Sequence, residues 1–206
     1  GVPSGVLPPS LDPEEFSPES PSSEASPLVG IEGPYVVTIG RASWVKGTWE
    51  TISMLEHSGL SLALVGGGEK ESIDSLMEHA KSTKVGIWVA PRLESSELCS
   101  LIRGAVAVVS MAHSEPFGLT PIEAQSLGTP ALFVDEGGFR ETITDGVSGR
   151  LLPRNDYSAW HVALEEAKDK HNRSSWSENG RANISKMGLN PEDFSTRLEK
   201  IFRDLN

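Results

Sequence analysis

A chain of 206 residues is long enough for one sizeable domain or two small ones, and its 37% hydrophobic content is ordinary for a globular protein. Its single cysteine excludes an intrachain disulfide framework and a cysteine-based zinc cluster, and fits a reducing, cytoplasmic compartment. A net charge of −11 argues against nucleic acid and anionic membranes as partners; no apolar run approaches the ~20 residues of a membrane span, so only peripheral membrane contact stays open.

Residues 1–30 are rich in Pro and Ser with interspersed acids, a composition that buries too little apolar surface to offset its ordering entropy. We read them as a connector, extended where Pro is dense, with Leu11, Phe16 and Leu28 as candidate anchors on a core. The chain opens without Met or a signal peptide, as an excised or processed piece would. A folded domain is expected over residues 31–206.

Within that domain a regular alternation sets in. Tyr35 to Ile39 is apolar and β-branched and predicts a strand, closed by Gly40. Thr48 to His57 predicts a helix with Trp49, Ile52, Met54 and Leu55 inward. Leu60 to Val65 is the second predicted strand and runs into Gly66-Gly67-Gly68; Ile73 to Ala80 carries Ile73, Leu76, Met77 and Ala80 at helical spacing. Val85 to Val89 predicts strand three, Ser95 to Ile102 helix three, Ala105 to Val109 strand four and Ala131 to Val134 strand five. These strands are apolar almost throughout rather than alternating, as strands covered by helices on both faces are. The fold class that follows is a doubly wound, Rossmann-like α/β domain with a parallel sheet. Beyond Gly149, Tyr157 to Lys170, Ser177 to Met187 and Pro191 to Leu205 read as extra C-terminal helices, the last with Phe194, Leu198, Ile201, Phe202 and Leu205 on one side.

The densest chemistry lies between Ser110 and Gly149. Glu115 and Glu123 stand eight positions apart with Pro116-Phe117-Gly118-Leu119 following the first acid. Two readings of Glu123 stay open. Thr120-Pro121-Ile122-Glu123 matches a capping box, with Thr120 as N-cap, Pro121 at the first helical position and Glu123 at the third. Alternatively, the two acids accept hydrogen bonds from ligand hydroxyls, while the free amides of Gly118, Leu119 and Thr120 meet a phosphate or sugar oxygen. Upstream, Arg41 and Lys46 sit in the turn after strand one, either as a pair of surface cations or converging on one anion. The turn lacks the G-x-x-x-x-G-K-[ST] pattern, and Gly66-Gly67-Gly68 fails G-x-G-x-x-G. Arg92, after a turn proline, is either a surface residue or a donor to a base. The five histidines show no metal-ligand spacing; His113 reads as a loop residue beside Glu115, and Trp44 is the one tryptophan placed inside the cationic turn.

Taken together these residues resemble retaining GT-B glycosyltransferases of family 4. Glu115 and Glu123 form an E-x7-E motif, and Ser-Glu-Pro-Phe-Gly-Leu, Ile-Glu-Ala, Leu-Gly-Thr-Pro, Gly-Gly-Phe-Arg-Glu and Asp-Gly-Val-Ser-Gly follow in the family's order, with Gly40-Arg41 and Lys46-Gly47 upstream. The stretch around Phe16 is similar to the connector between the two halves of such enzymes, with Pro8 to Ser10 replacing the commoner Asn-Gly-Val. The resemblance implies the C-terminal half of a GT-B fold, binding a nucleotide-sugar and passing its hexosyl group to an acceptor hydroxyl. It implies that Arg41 and Lys46 hold the diphosphate, Glu123 the ribose, Glu115 with Phe117, Gly118, Leu119 and Thr120 the sugar, and Arg92 the base, with Gly66 in the second-strand turn; no metal or other cofactor is implied. It further implies a separate N-terminal, acceptor-binding half, without which this chain is expected not to turn over. A GT-B phosphorylase or nucleotide-sugar epimerase half, or a non-catalytic nucleotide-binding α/β module, are the rival readings.

Overall fold

The computed structural model describes residues 7–11, 15–17, 19, 28, 30 and 33–204. Six strands form one sheet: β1 (Tyr35–Ile39), β2 (Ser61–Val65), β3 (Ile87–Ala90), β4 (Val108–Ser110), β5 (Ala131–Val134) and β6 (Arg150–Leu152). Every pairing is parallel and the order is β3-β2-β1-β4-β5-β6. The chain therefore builds outward from β1 to β3, crosses back, and builds outward again from β4. The reversal opens a crevice between the carboxyl ends of β1 and β4, the position at which doubly wound sheets take ligands.

The apolar strands are buried as their composition requires: Val36, Val37, Leu62, Ala63, Leu64, Val108, Val109 and all of β5 have essentially no solvent exposure. Helices α1 (Thr48–Leu55), α2 (Lys70–Thr83), α3 (Ser95–Gly104), α4 (Leu119–Ser126), α5 (Phe139–Thr142), α6 (Tyr157–Lys168), α7 (Lys170–Met187) and α8 (Pro191–Asp204) cover the sheet or follow it. Helix α1 lies against α2 and α6, while α4 lies against α5 and α7. Trp160 of α6 is wholly buried and its indole N–H donates to the Pro153 carbonyl at 3.0 Å, satisfying the one polar atom that burial would strand.

Several boundaries differ from expectation. Helix α3 runs on to Gly104, so strand four begins at Val108 rather than Ala105. Its lead-in already joins the ladder, because Val106 N donates to Tyr35 O at 2.9 Å and Val37 N to Ala107 O at 3.0 Å. Strand β6 and the single turn α5 were not expected, being too short to show a period. Met77, expected inward, is 44% exposed, since Leu76 and Ala80 supply the buried stripe of α2. Helix α8 buries none of its residues; Phe194, Leu198 and Ile201 are only partly covered and Phe202 is exposed, while Leu205 lies outside the described residues. Arg197 instead tethers α8 through the carbonyls of Met187 and Gly188. Leu11 and Phe16 are buried in the core and Leu28 packs on it, as their apolar character in a polar stretch suggested. Leu11 N also donates to Leu189 O at 2.7 Å. No described helix is long and apolar enough to cross a membrane.

Candidate functional site

Two loops meet at the crevice. After β1 the chain passes Gly40 and Arg41 into a short 3-10 turn, Trp44–Lys46, capped by Ser43, whose hydroxyl accepts from Lys46 N at 3.3 Å. Gly47 then opens α1. It has φ 63°, and a Cβ there would lie 2.0 Å from the Met111 carbonyl oxygen. Only glycine lets this turn rest directly on the end of β4. His113 N, from the loop after β4, donates to Val45 O at 2.7 Å and stitches the two loops together.

That stitch brings Lys46 to Glu115, with Nζ 3.0 Å from Oε2 and both side chains partly exposed. A pair of this exposure contributes at most about 1 kcal/mol. A charge-assisted bond to phosphate is worth about 1.5–3 kcal/mol, so a diphosphate can draw Lys46 away from Glu115. Arg41, expected to converge with Lys46, is exposed and makes no ion pair among the described residues. It lines a neighbouring cleft of about 320 Å³ beyond the ends of β1, β2 and β3, with Glu15, Gly40, Gly66, Arg92 and Ser95. Gly66 matters there because a Cβ would sit 2.6 Å from the Gly40 carbonyl carbon, so side-chain-free backbone forms the cleft floor.

The Glu115 loop is held from its other side. Gly138 N donates to Glu115 O at 2.7 Å, and a Cβ on Gly138 would lie 2.4 Å from Phe117 Cα. Arg154, mostly buried, donates to Met111 O at 2.6 Å, to Ala112 O at 3.2 Å and to both carboxylate oxygens of Glu136 at 3.0 and 2.7 Å. The Arg154 hydrogen bond holds the Glu136 carboxyl below the usual carboxylate range. Arg154 thus fixes the segment that carries Glu115, a role no motif announced.

Helix α4 begins at Leu119 with Gly118 as N-cap, at φ 88°, and no side chain caps it. Thr120 lies inside the first turn and the expected capping box does not form. The left-handed conformation at Gly118 starts the helix earlier than Pro121 suggested, which moves Glu123 past the third helical position. Glu123 is therefore not a cap. It is largely buried, and its carboxyl is pushed up to about 7, first by desolvation and second by the charge of Glu15. No described hydrogen bond or ion pair satisfies it. A partly buried acid one turn into a helix whose start no side chain caps, and without a partner among the described residues, is placed to accept hydrogen bonds from something that is not protein.

Sequence reasoning named the residues that the structure gathers at one sheet edge, in two groups: Lys46 with Glu115, and Arg41, Gly66 and Arg92 around the cleft. It missed Glu15, whose only signal was its place beside the anchor Phe16. His113 stacks on Trp44, with ring centroids 4.2 Å apart and planes 12° apart, and its Nε2 lies 3.1 Å from Glu50 Oε1. Among the described residues no three potential metal ligands cluster. A second cavity of about 440 Å³ opens at the opposite end of the sheet, near Ser61 and Gly86. The carboxyl ends of α1 and α2 approach it, and their partial negative charge makes it a poor anion site.

A family model described as glycosyl transferases group 1 matches residues 23–183. The D-inositol 3-phosphate glycosyltransferase of Xylanimonas cellulosilytica is 30% identical over 172 residues, covering 77% of this chain and 41% of that protein. The glycogen synthase of Mycobacterium tuberculosis is 30% identical over 138 residues, covering 64% of this chain and 33% of that protein. Among solved structures, sucrose-phosphate synthase from Thermosynechococcus elongatus superposes with a TM-score of 0.82 at 22% identity, over 97% of this chain and 52% of that one. Anabaena HepE in complex with UDP and glucose gives a TM-score of 0.74 at 19% identity, over 84% of this chain and 49% of that one. The chain thus spans less than half the length of these curated relatives, and the structural likeness is one of fold.

Proposed function

The chain belongs to the glycosyl transferases group 1 family, and from that premise we propose that it is the donor-binding half of a retaining hexosyltransferase. The observation that carries this is Glu123: a largely buried carboxyl with no partner among the described residues, one turn into a helix that no side chain caps. The cleft beyond β1, β2 and β3 adds Arg41 and Arg92, neither ion-paired among the described residues. Hydroxyls of a ribose would donate to Glu123. Phosphates would meet Arg41, Lys46 and the first amides of α4. The base would lie over the Gly66 floor towards Arg92, and the sugar would face Glu115 and the Phe117–Thr120 backbone.

In the reaction the bond between the sugar's anomeric carbon and the diphosphate oxygen breaks, and a bond to the acceptor hydroxyl oxygen forms on the same face. The hydroxyl proton passes to the departing diphosphate. Charge grows on that diphosphate as it leaves, and Arg41 and Lys46 would stabilise it once drawn onto its oxygens, an electrostatic contribution made where it is needed. None of these steps calls on a metal. HepE is seen with UDP and glucose, which supports a nucleoside diphosphate and a hexose as the ligand class. The acceptor would be held by a separate half, so the 206-residue chain binds donor without turnover.

The test is a calorimetric and thermal-shift panel of UDP, GDP, ADP and NAD. Binding of a nucleoside diphosphate that Arg41→Ala weakens is the expected outcome. Binding of NAD alone, or transfer by the 206-residue chain itself, contradicts the proposal.

A further inference from the structure

Glu15 has no part in the reading above. It comes from the connector, yet it lines the cleft that receives the base, together with Arg92 and Ser95. Among the described residues it is the one acid in that lining, and the other charged side chains there, Arg41 and Arg92, are donors only. Its place is fixed from several sides. Phe16 beside it is buried in the core. The Glu15 carbonyl accepts from Cys99 Sγ at 3.2 Å and the Ser17 carbonyl from Arg103 Nη2 at 2.8 Å, so this piece of connector is pinned to α3. The Ser95 hydroxyl, at the start of α3, donates to Glu15 Oε1 and holds the carboxylate itself. The arrangement has a cost, because the charge of Glu15 works against ionisation of Glu123. An acid held where it opposes another acid serves a ligand better than it serves the fold.

The chemistry of the cleft identifies what Glu15 meets. A carboxylate repels phosphate, so a nucleotide enters with its diphosphate towards Lys46 and the α4 amides and its base towards Glu15 and Arg92. Ile39, Leu93 and Leu98 add apolar surface for a flat ring. The base thus meets one side chain that only accepts and another that only donates. Uracil offers a single ring N–H set between two carbonyl oxygens, which a carboxylate repels. Adenine and cytosine each set an amino group beside a bare ring nitrogen. Guanine puts a ring N–H and an amino group side by side, and its O6 and N7 form an acceptor edge that suits a guanidinium. A carboxylate accepts about four hydrogen bonds, so taking both guanine donors is compatible with holding Ser95. Resting on the reading of the chain as a donor-binding half, we infer that Glu15 is the specificity-determining residue for the base and selects guanine, with Ser95 as the positioning residue that orients its carboxylate. HepE, seen with UDP, is 19% identical and shares the fold alone, so its base does not carry over to this cleft.

The test is calorimetric titration of the 206-residue chain with GDP, UDP, ADP and inosine 5′-diphosphate, which is GDP without the amino group. GDP should bind at least about tenfold more tightly than UDP or ADP, and about fivefold more tightly than the inosine nucleotide. Glu15→Gln keeps the shape and still accepts from Ser95, but carries no charge. It should bring GDP and the inosine nucleotide within about twofold of each other, by weakening GDP, and leave UDP as tight as before or tighter. Ribose and diphosphate are common to both purine ligands, so any change at Glu123 cancels in their ratio. Ser95→Ala should narrow the same ratio with the melting temperature of the parent. A merely structural Glu15 would shift all four nucleotides alike. Parent affinity for GDP no better than for UDP, an inosine nucleotide as tight as GDP, or a ratio unmoved in Glu15→Gln overturns the assignment. Failure of every nucleotide to bind strikes the donor-site reading instead.

Discussion

Glu123→Gln separates function from stability in opposite directions. The carboxyl titrates near 7 in the folded protein against an ordinary 4.5. Below about pH 4.5 both folded and unfolded chains hold the proton, and the group costs nothing. As pH rises from there the unfolded chain releases its proton while the folded chain retains it, so stability falls until pH passes 7 and then levels off. The span of about 2.5 units corresponds to roughly 3 kcal/mol lost at alkaline pH, an upper value because the chain relaxes. Glutamine has the same shape and no charge. Its variant should match the parent at pH 4.5 and exceed it at pH 8, by up to roughly 6–12 °C in melting temperature for a domain of this size. The same variant should bind the nucleoside diphosphate at least about tenfold more weakly at pH 8, because a charged acceptor for ribose hydroxyls has been removed. Parent affinity should rise with pH through about 7, and the variant should lose that dependence. Calorimetry at both pH values and nucleotide titration read the two effects. A glutamine variant that melts no higher than the parent at pH 8 would refute the claim that this partly buried acid is held above its ordinary range by desolvation.

Other expectations are narrower. Lys46→Ala should shift stability by less than about 1 kcal/mol in urea unfolding, since its partner is a partly exposed Glu115, yet weaken diphosphate binding about tenfold or more. Gly138→Ala forces a methyl against Phe117 Cα and should cost about 1–3 kcal/mol by the same measurement; a neutral result means the two loops do not touch. Arg154→Met strips donors from Met111 O, Ala112 O and Glu136, and should loosen the Glu115 loop, seen as faster amide exchange from Met111 to Phe117 with the exchange of β2 unchanged.

The parts of this molecule that were legible beforehand are those a period or a motif encodes. Strand five was placed to the residue because Ala131 to Val134 is apolar throughout and bounded by Pro130 and Asp135. The parallel sheet followed from strands with no polar face. Strand β6 and the turn α5 carry no such apolar run, with only Leu151 and Leu152 between Arg150 and Pro153 and a polar Arg140-Glu141 in α5, and they form because neighbours supply their hydrogen bonds. The capping box failed for a different reason. Thr120 and Glu123 carry the right chemistry at the right spacing, but Gly118 turns the chain into the helix before Thr120 can cap it. Glu15 and Arg154 were invisible because each reaches a segment distant in sequence, Glu15 across to Ser95 and Arg154 back to Met111 and Ala112, through contacts that spacing cannot express. Lys46 and Glu115 are as far apart, and although each follows a strand whose place in the sheet was foreseeable, their direct pairing was not read; the sequence suggested Arg41 as the neighbour of Lys46 instead.

The uncapped start of α4 has a consequence for how this domain answers its ligand. A side-chain cap is worth about 1 kcal/mol, and the first turn of α4 goes without one although the rest of the helix is buried. Here the oxygen that would complete the first turn has to arrive from outside. A phosphate or sugar oxygen bound at those amides would serve as the missing cap, so that occupancy steadies the first turn while packing against α5, α7 and the sheet holds the rest of α4. The domain would then report its own loading: with nucleotide present, the first turn of α4 should pass from among the fastest-exchanging helical amides in the protein to among the slowest.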